Sequence, residues 1–367
     1  MLVNWVMLRD FRGYRDVEVE LGRGLTVVWG PNGAGKTNLL EGLYFGCTGR
    51  SCRTANEREV IRFGAKATRV VVRCSAEDGS HELAVGFMPG EPKRMRVDGA
   101  AVERLLDTEM RPLVSVFLPD RLELVKGPPG LRRAHLDRFV AALWPGRTTT
   151  RRAYAQALAQ RNALLARLRA GERAARMLAP WDRQLADNGL VLMSDRAEAV
   201  AAIDEAFAHT AGVIGLDGEI TFAYRPRSRA DDPEQFIAEL RDRLSSDLER
   251  GFTGHGPHRD ELMLLRDGRE LRAFGSQGQQ RLALLALLLA EREAIAASRA
   301  ITPLMLLDDV MSELDHERRQ ALVEHLRHGD GQSVLTTTDL GHVPDAFDDD
   351  VVRLAVAGHV LAEPVAR

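Results

Sequence analysis

Residues 25–45 read LTVVWGPNGAGKTNLLEGLYF. A short apolar run ends at Gly30, a glycine-rich segment follows, and from Lys36 to Phe45 the pattern turns helical. Gly30 to Thr37 fits G-x-x-x-x-G-K-[ST] at every position, in the strand–loop–helix context that a phosphate loop needs. Glycines let backbone N–H groups turn inward around phosphate oxygens, and the positive end of the following helix points at the same charge. Gly30, Pro31, Asn32, Gly33, Ala34, Gly35 and Asn38 are therefore expected to cradle a nucleotide. Lys36 is expected to reach its outer phosphates, and Thr37 to ligate a magnesium ion.

Working outward, residues 2–21 hold two alternating runs broken at Arg12-Gly13, which read as sheet. Residues 65–120 carry β-type runs (ATRVVVRCSA, HELAVGF, RMRVDG, LVSVFLP) between turn residues and predict an antiparallel sheet. From Leu131 to about residue 210 Ala, Leu and Arg dominate at helical spacing, punctuated by Pro180 and Gly189. After GFTGHGPHRD (251–260) come an Ala/Leu helix at 281–298, the strand PLMLLDD, a further helix and the strand SVLTTT. Strand–helix–strand alternation predicts a parallel core. The fold class is α/β, with a mixed-sheet head made from 1–120 and 251–367 and a mostly helical lobe inserted at 121–250.

LMLLDDV (304–310) delivers two carboxylates at the end of a buried strand. Asp308 is placed to hold magnesium and Asp309 to orient or deprotonate an attacking water, which with Lys36 makes the catalytic set. GSQGQQRLALLAL begins at Gly275, and its Ser276, Gly278 and Gln279 lie at the start of a helix, 32 residues ahead of Asp308 in the case of Ser276. SELD (312–315) follows the acids and brings Asp315 to the next helix, where a capping role is also open. Phosphate loop, S-x-G-Q, paired acids and SELD, in that order, resemble the ABC ATPase superfamily. The resemblance implies that Ser276 and Gly278 bind the γ-phosphate held by a second subunit, and that Asp315 crosses the dimer interface. There is no N-K-x-D element, which favours ATP over GTP.

Composition narrows the class. Hydrophobic residues make up 45% of 367, enough for a core, and the net charge of −3 excludes a globally basic binder. The longest apolar run, Leu282–Ala290, is too short to span a bilayer, and Cys47, Cys52 and Cys74 form no disulfide or zinc pattern, which reads as reduced cytosol. Positive charge concentrates in 147–176, with eight arginines against the single acid Glu172. Arg132, Arg133, Arg151, Arg152 and Arg161 are candidate contacts to DNA phosphates, blind to sequence; no aromatic cluster accompanies them, which favours duplex backbone over a threaded single strand.

Transporter heads have a Gln-loop glutamine, yet no Gln occurs between Thr37 and Gln156, and TTTD (336–339) stands where their switch histidine falls. Chromosome-organising members separate their motifs by long coiled coils that are missing here. FRGYRDVEVEL, the phosphate loop, FLPDRLELVKGPPGLRRAHLD (117–137), GPHRDEL (256–262), SQGQQRLALLAL and LLDDVMSELD together resemble the RecF family over essentially the whole chain. That resemblance implies a cytoplasmic protein that binds ATP, dimerises on it and binds DNA at gaps or single-strand/double-strand boundaries. It implies work with RecR and indirectly RecO in loading RecA. Asp120 is the candidate for the missing Gln-loop role. Asp309 is one methylene shorter than the Glu usual in transporters, which predicts slow hydrolysis. His258, Arg259 and Asp260 lack an accompanying nucleophile, and are expected to line the head–lobe joint or the dimer seam. The rival readings are an ABC-type ATPase acting on a protein partner, or one coupled to a nuclease.

Overall fold

The computed structural model describes residues 1–119, 122–171, 175–327, 331–358 and 360–362. In chain order the elements are β1 Leu2–Phe11, β2 Tyr14–Glu20, β3 Leu25–Trp29, α1 Lys36–Thr48, β4 Thr68–Ala76, β5 Gly79–Phe87, β6 Arg94–Val97, β7 Ala100–Val102 and β8 Val114–Phe117. Next come α2 Glu123–Lys126, α3 Pro129–Leu143, α4 Thr148–Arg169, α5 Ala179–Ala201, α6 Asp204–Val213, β9 Ile220–Arg225, α7 Pro233–Asp242 and α8 Leu244–Arg250. The chain finishes with β10 Glu261–Arg266, β11 Arg269–Glu270, α9 Leu271–Phe274, α10 Gln277–Arg299, β12 Leu304–Leu307, α11 His316–Arg327, β13 Ser333–Thr337, β14 Val352–Ala357 and β15 Val360–Ala362. No helix among the described residues is long and apolar enough to cross a membrane.

Two compact units form. The head comprises Met1–Arg121, Val213–Gly215 and Ile295–Arg367, and the lobe Leu122–Gly212 and Leu216–Ala294. The expected return to the head at 251 is thus corrected to 295. The reason is pairing: β10 lies antiparallel to β9, with Leu262 opposite Tyr224 and Leu264 opposite Phe222, so 261–266 completes a sheet of the lobe.

The head holds two six-stranded sheets. One is antiparallel in the order β2-β1-β4-β5-β6-β7; the other runs β15-β14-β3-β13-β12-β8. In the second, β14, β3, β13, β12 and β8 are parallel, so the N-terminal strand β3 is flanked on both sides by strands from the end of the chain. LVSVFLP was expected in the antiparallel sheet; β8 instead pairs in parallel with β12, Phe117 opposite Leu307. Helix α1 packs on the antiparallel sheet through two glycines. A Cβ at Gly42 would sit 2.5 Å from Leu8 Cδ2, and one at Gly46 2.4 Å from Val72 Cγ2. At that separation only glycine lets helix and sheet approach.

The lobe core gathers Tyr154 and Ala157 of α4, Leu185, Ala186 and Leu192 of α5, and Phe236 and Leu240 of α7. Pro180 falls in the first turn of α5, where its missing N–H costs nothing. Gly189 does not break that helix; a Cβ there would meet Tyr154 and Phe236 at 3.3 Å, so it is a packing contact within α5.

Candidate nucleotide site

The head site assembles at the C-terminal ends of β3, β12 and β13. After β3 the backbone takes left-handed or glycine-only conformations at Gly30 (φ +152°), Gly33 (φ +78°) and Gly35 (φ +116°). Gly30 also lacks room for a side chain, since a Cβ would lie 2.1 Å from the Val356 carbonyl oxygen. Pro31, Asn32 and Gly33 are exposed, whereas Ala34 is buried and fixes the loop. Its N–H donates to Pro31 O at 3.2 Å.

Lys36 is only 7% exposed. Its Nζ donates to Gly30 O at 2.7 Å and Pro31 O at 3.0 Å, curling over the loop it serves. Burial lowers its pKa, and the nearby carboxylates of Asp309 and Asp308 oppose that shift. Thr37 Oγ1 lies 2.9 Å from both oxygens of Asp308. Thr336 on β13 donates to Asp308 Oδ1 at 2.7 Å and accepts from Asp309 N–H at 2.9 Å, tying both acids to the neighbouring strand. Burial pushes the Asp308 carboxyl above its ordinary range; the Thr336 and Thr37 hydroxyls oppose that, and nearby Asp309 adds to it. Asp309 adopts φ +44°, a strained left-handed position, with Ser312 Oγ donating to its Oδ2 at 3.0 Å.

This donor set fits magnesium. Two carboxylates face one lysine, and a hydroxyl and a carboxylate oxygen converge at Thr37 and Asp308. Among the described residues no cluster of three or more His, Cys, Asp or Glu forms a metal cage. Magnesium needs none, because it keeps several waters and takes one or two protein oxygens plus phosphate. Thr37 and Asp308 would hold the ion, which supplies charge neutralisation at phosphate oxygens.

Three supporting residues were missed in the sequence. Tyr14 OH, at the end of the FRGY turn, donates to Gly35 O at 3.1 Å and props the loop from below. Glu41, fully buried in α1, accepts from Arg12 Nε at 2.8 Å and NH2 at 2.7 Å, from Ser51 Oγ at 2.5 Å and from Arg53 at 3.2 Å. Arg53 also donates to Asn38 Oδ1 at 3.0 Å, and its charge acts to lower the pKa of Asp308. The signal was present in the acid Glu41, which sits in a helix face that otherwise packs apolar residues.

The other motif residues occupy helix starts. Ser276 N–H donates to Gln279 Oε1 at 2.8 Å and Gln279 N–H to Ser276 Oγ at 3.2 Å, a reciprocal capping box at the head of α10. Ser276 and Gly278 are exposed. Asp315 Oδ1 accepts from Arg318 N–H at 3.0 Å and caps α11. Asp120 lies outside the described residues.

A family model described as an AAA domain matches residues 6–94. The chain is 38% identical over 366 residues to the DNA replication and repair protein RecF of Myxococcus xanthus strain DK1622, covering 97% of this chain and 95% of that one. It is 37% identical to RecF of Synechococcus sp. strain JA-3-3Ab, covering 95% of this chain and 94% of that one. The chain belongs to the RecF family. Among solved structures it resembles the recombination mediator protein RecF-ATPrS of the RecFOR pathway, with a TM-score of 0.82 at 25% identity over 98% of this chain and 97% of that one. An Smc head bound to the C-terminal winged-helix domain of ScpA shares the fold, with a TM-score of 0.60 at 15% identity over 98% of this chain and 96% of that one. The ABC-type head is thus the fold of this RecF-family member.

Two of the expected phosphate-binding arginines are corrected by burial within the lobe. Arg161 is 1% exposed, and donates to Asp182 at 2.7 Å, Asp247 at 2.8 Å and Thr253 Oγ1 at 2.7 Å. Arg132 is 3% exposed, and donates to Gly127 O at 2.9 Å and Glu261 at 2.5 Å. Arg133 is half-buried and donates to Asp260 O at 2.7 Å. Arg151 keeps 58% of its side chain exposed beside Asp137 at 3.0 Å, and Arg152 is exposed, so these two remain available.

Most of the GPHRD segment packs into the lobe, while Arg259 stays exposed with its guanidinium 5.3 Å from the Phe252 ring centroid. Asp260 is fully buried and accepts from Arg196 at 2.8 Å, Tyr224 OH at 2.5 Å and Arg227 N–H at 2.8 Å. His258 Nδ1 lies 2.8 Å from Tyr154 OH and its Nε2 2.9 Å from Thr253 O. The carbonyl can only accept, so Nε2 carries the proton, and Nδ1 accepts from the tyrosine. Both nitrogens are thus held by hydrogen bonds within the lobe.

Burial pushes the His258 pKa down to about 4. The unfolded chain, with an ordinary histidine, therefore binds the extra proton between pH 6.5 and 4. Stability should fall as pH drops through that window, by about 3 kcal/mol, and level off below it. Urea unfolding at pH 7 and pH 4.5 checks this: in His258→Gln the loss specific to this window should vanish, and an unchanged pH profile would refute the assignment.

Proposed function

We propose that this chain is an ATP-controlled DNA-binding protein of recombinational repair, acting at gapped DNA and stalled replication forks. The observation that carries the reading is the convergence of Lys36, Thr37, Asp308 and Asp309 at one phosphate-sized loop. ATP binds Gly30–Asn38 with magnesium on Thr37 and Asp308. The exposed, capped start of α10 at Ser276, Gly278 and Gln279 meets the γ-phosphate held by a second copy, and Asp315 lies along that seam. Neither surface alone satisfies the γ-phosphate, so ATP favours the homodimer by differential binding. Hydrolysis through Asp309 is slow and resets the switch. The protein works in the cytoplasm with RecR and RecO to assist RecA loading; the RecF names and the RecFOR pathway of its relatives support this role.

Backbone binding by Arg151 and Arg152 makes DNA affinity salt-dependent and indifferent to sequence. The test is fluorescence anisotropy on a labelled gapped duplex between 50 and 200 mM salt, with and without ATP. Wild type should bind only with ATP, and the double variant Arg151→Ala/Arg152→Ala should bind more weakly, with the slope of log K against log salt reduced by about 2. Binding that ignores ATP, or a slope untouched by the double variant, would contradict the reading.

A further inference from the structure

Phe63 is the most exposed large hydrophobic among the described residues, at 98%. A lone exposed apolar side chain is ordinary; its setting is not. Phe63 occupies the second position of a turn closed by Ala65 N–H donating to Arg62 O at 2.9 Å. Gly64 follows with φ +83°, which a type II turn requires at its third position. Both ends of this loop are fastened to the end of β1. Arg62 N–H donates to Asp10 O at 2.8 Å, Arg62 Nε to Asp10 Oδ1 at 2.7 Å, Ile61 bridges Phe11, and Thr68 Oγ1 donates to Arg9 O at 3.0 Å. The ring is therefore presented on a fixed turn, almost fully exposed.

The charge of the flanking sequence is mostly positive. Arg58, Lys66 and Arg69 are exposed, and none has an ion-pair partner among the described residues. Of the acids in this stretch, Asp10 pairs with Arg62 and Glu57 with Lys93, while Glu59 is exposed and accepts from Asn56 Nδ2 at 3.2 Å, so the exposed cations outnumber it three to one. A bare aromatic face among free cations has the chemistry of a nucleic-acid strand, whose bases stack on the ring while flanking phosphates meet the cations. A single ring stacks a single base and does not track a strand. We infer that Phe63 is a stacking platform for the first unpaired base beside a duplex end, with Arg58, Lys66 and Arg69 on the adjoining phosphates. This rests on the DNA-binding reading above, and gives it a residue that distinguishes a gap from a continuous duplex.

Phe63→Ala and Phe63→Trp, with wild type, are titrated with a gapped duplex and with a blunt duplex of equal length in the presence of ATP and magnesium. ATP binding is read in parallel with a fluorescent ATP analogue. The alanine variant should bind the gapped duplex roughly tenfold more weakly, with blunt-duplex and ATP binding unchanged, and tryptophan should preserve the preference for the gap. Unchanged gapped-DNA binding by the alanine variant overturns the inference while leaving the DNA reading intact. An equal loss on both DNAs overturns it, as does a loss of ATP binding, which would put the ring against adenine. If wild type binds neither DNA, the proposed function falls and this inference with it.

Discussion

Lys36→Arg should leave the chain monomeric at ATP concentrations that dimerise the wild type. The Lys36 ammonium sits between Gly30 O and Pro31 O, in a loop whose first glycine has no room for a side chain. Arginine keeps the charge but presents it as a planar, branched fork that cannot occupy a point-charge position. Losing a charge-assisted contact to the outer phosphates costs about 1.5–3 kcal/mol, roughly 10- to 100-fold in nucleotide affinity. The loop is held independently by Tyr14 on Gly35 and by Thr336 on the acids, so the fold should survive the change. Molecular mass in solution, with ATP and without, separates the outcomes. A wild-type dimer with a monomeric variant supports the sandwich. An ATP-dependent dimer of the variant, or a wild type indifferent to ATP, would show that the nucleotide does not act through dimerisation.

The candidate nucleotide site could be proposed from sequence because its chemistry is local. A phosphate loop needs four residues of fixed type within eight consecutive positions, and two acids at the end of an apolar strand announce a sheet edge in any context. Which sheet a strand joins is not local. LVSVFLP alternates like its neighbours, yet β8 aligns with β12, a partner about 190 residues away by the register Val114 opposite Leu304. The lobe boundary escaped for the same reason, since 261–266 finds its pairing in 220–225.

Arginine was the hardest residue to place. In sequence its charge reads as surface, and a helix rich in it reads as a phosphate-binding face. The acids that neutralise Arg161 lie 21 and 86 positions away, on α5 and α8. Only the packed lobe brings them together, so composition over 147–176 overstated the free positive charge. Tyr14 presents the converse case: its turn was read correctly, while the hydrogen bond from its hydroxyl to Gly35 depends on how β2 lies against the loop.

Arg161→Met should destabilise the lobe by about 3–5 kcal/mol, the cost of removing one member of a buried ion cluster. Methionine approximates the volume but leaves Asp182 and Asp247 buried without their cation, and strips Thr253 Oγ1 of the guanidinium contact. Asp247 cannot simply turn outward, because its other oxygen accepts from Gly254 N–H at 2.9 Å. Adding Asp182→Asn and Asp247→Asn should recover much of the loss: the buried charges vanish, and an asparagine oxygen can still accept from Gly254. Arg152→Met, at an exposed position of the same helix, should stay within about 0.5 kcal/mol of wild type. Chemical denaturation of the four proteins reads all of this directly. The DNA-contact reading of Arg161 makes the opposite forecast, normal stability with weakened binding, so a stable Arg161→Met that binds gapped DNA poorly would restore that arginine to the interface and remove it from the core.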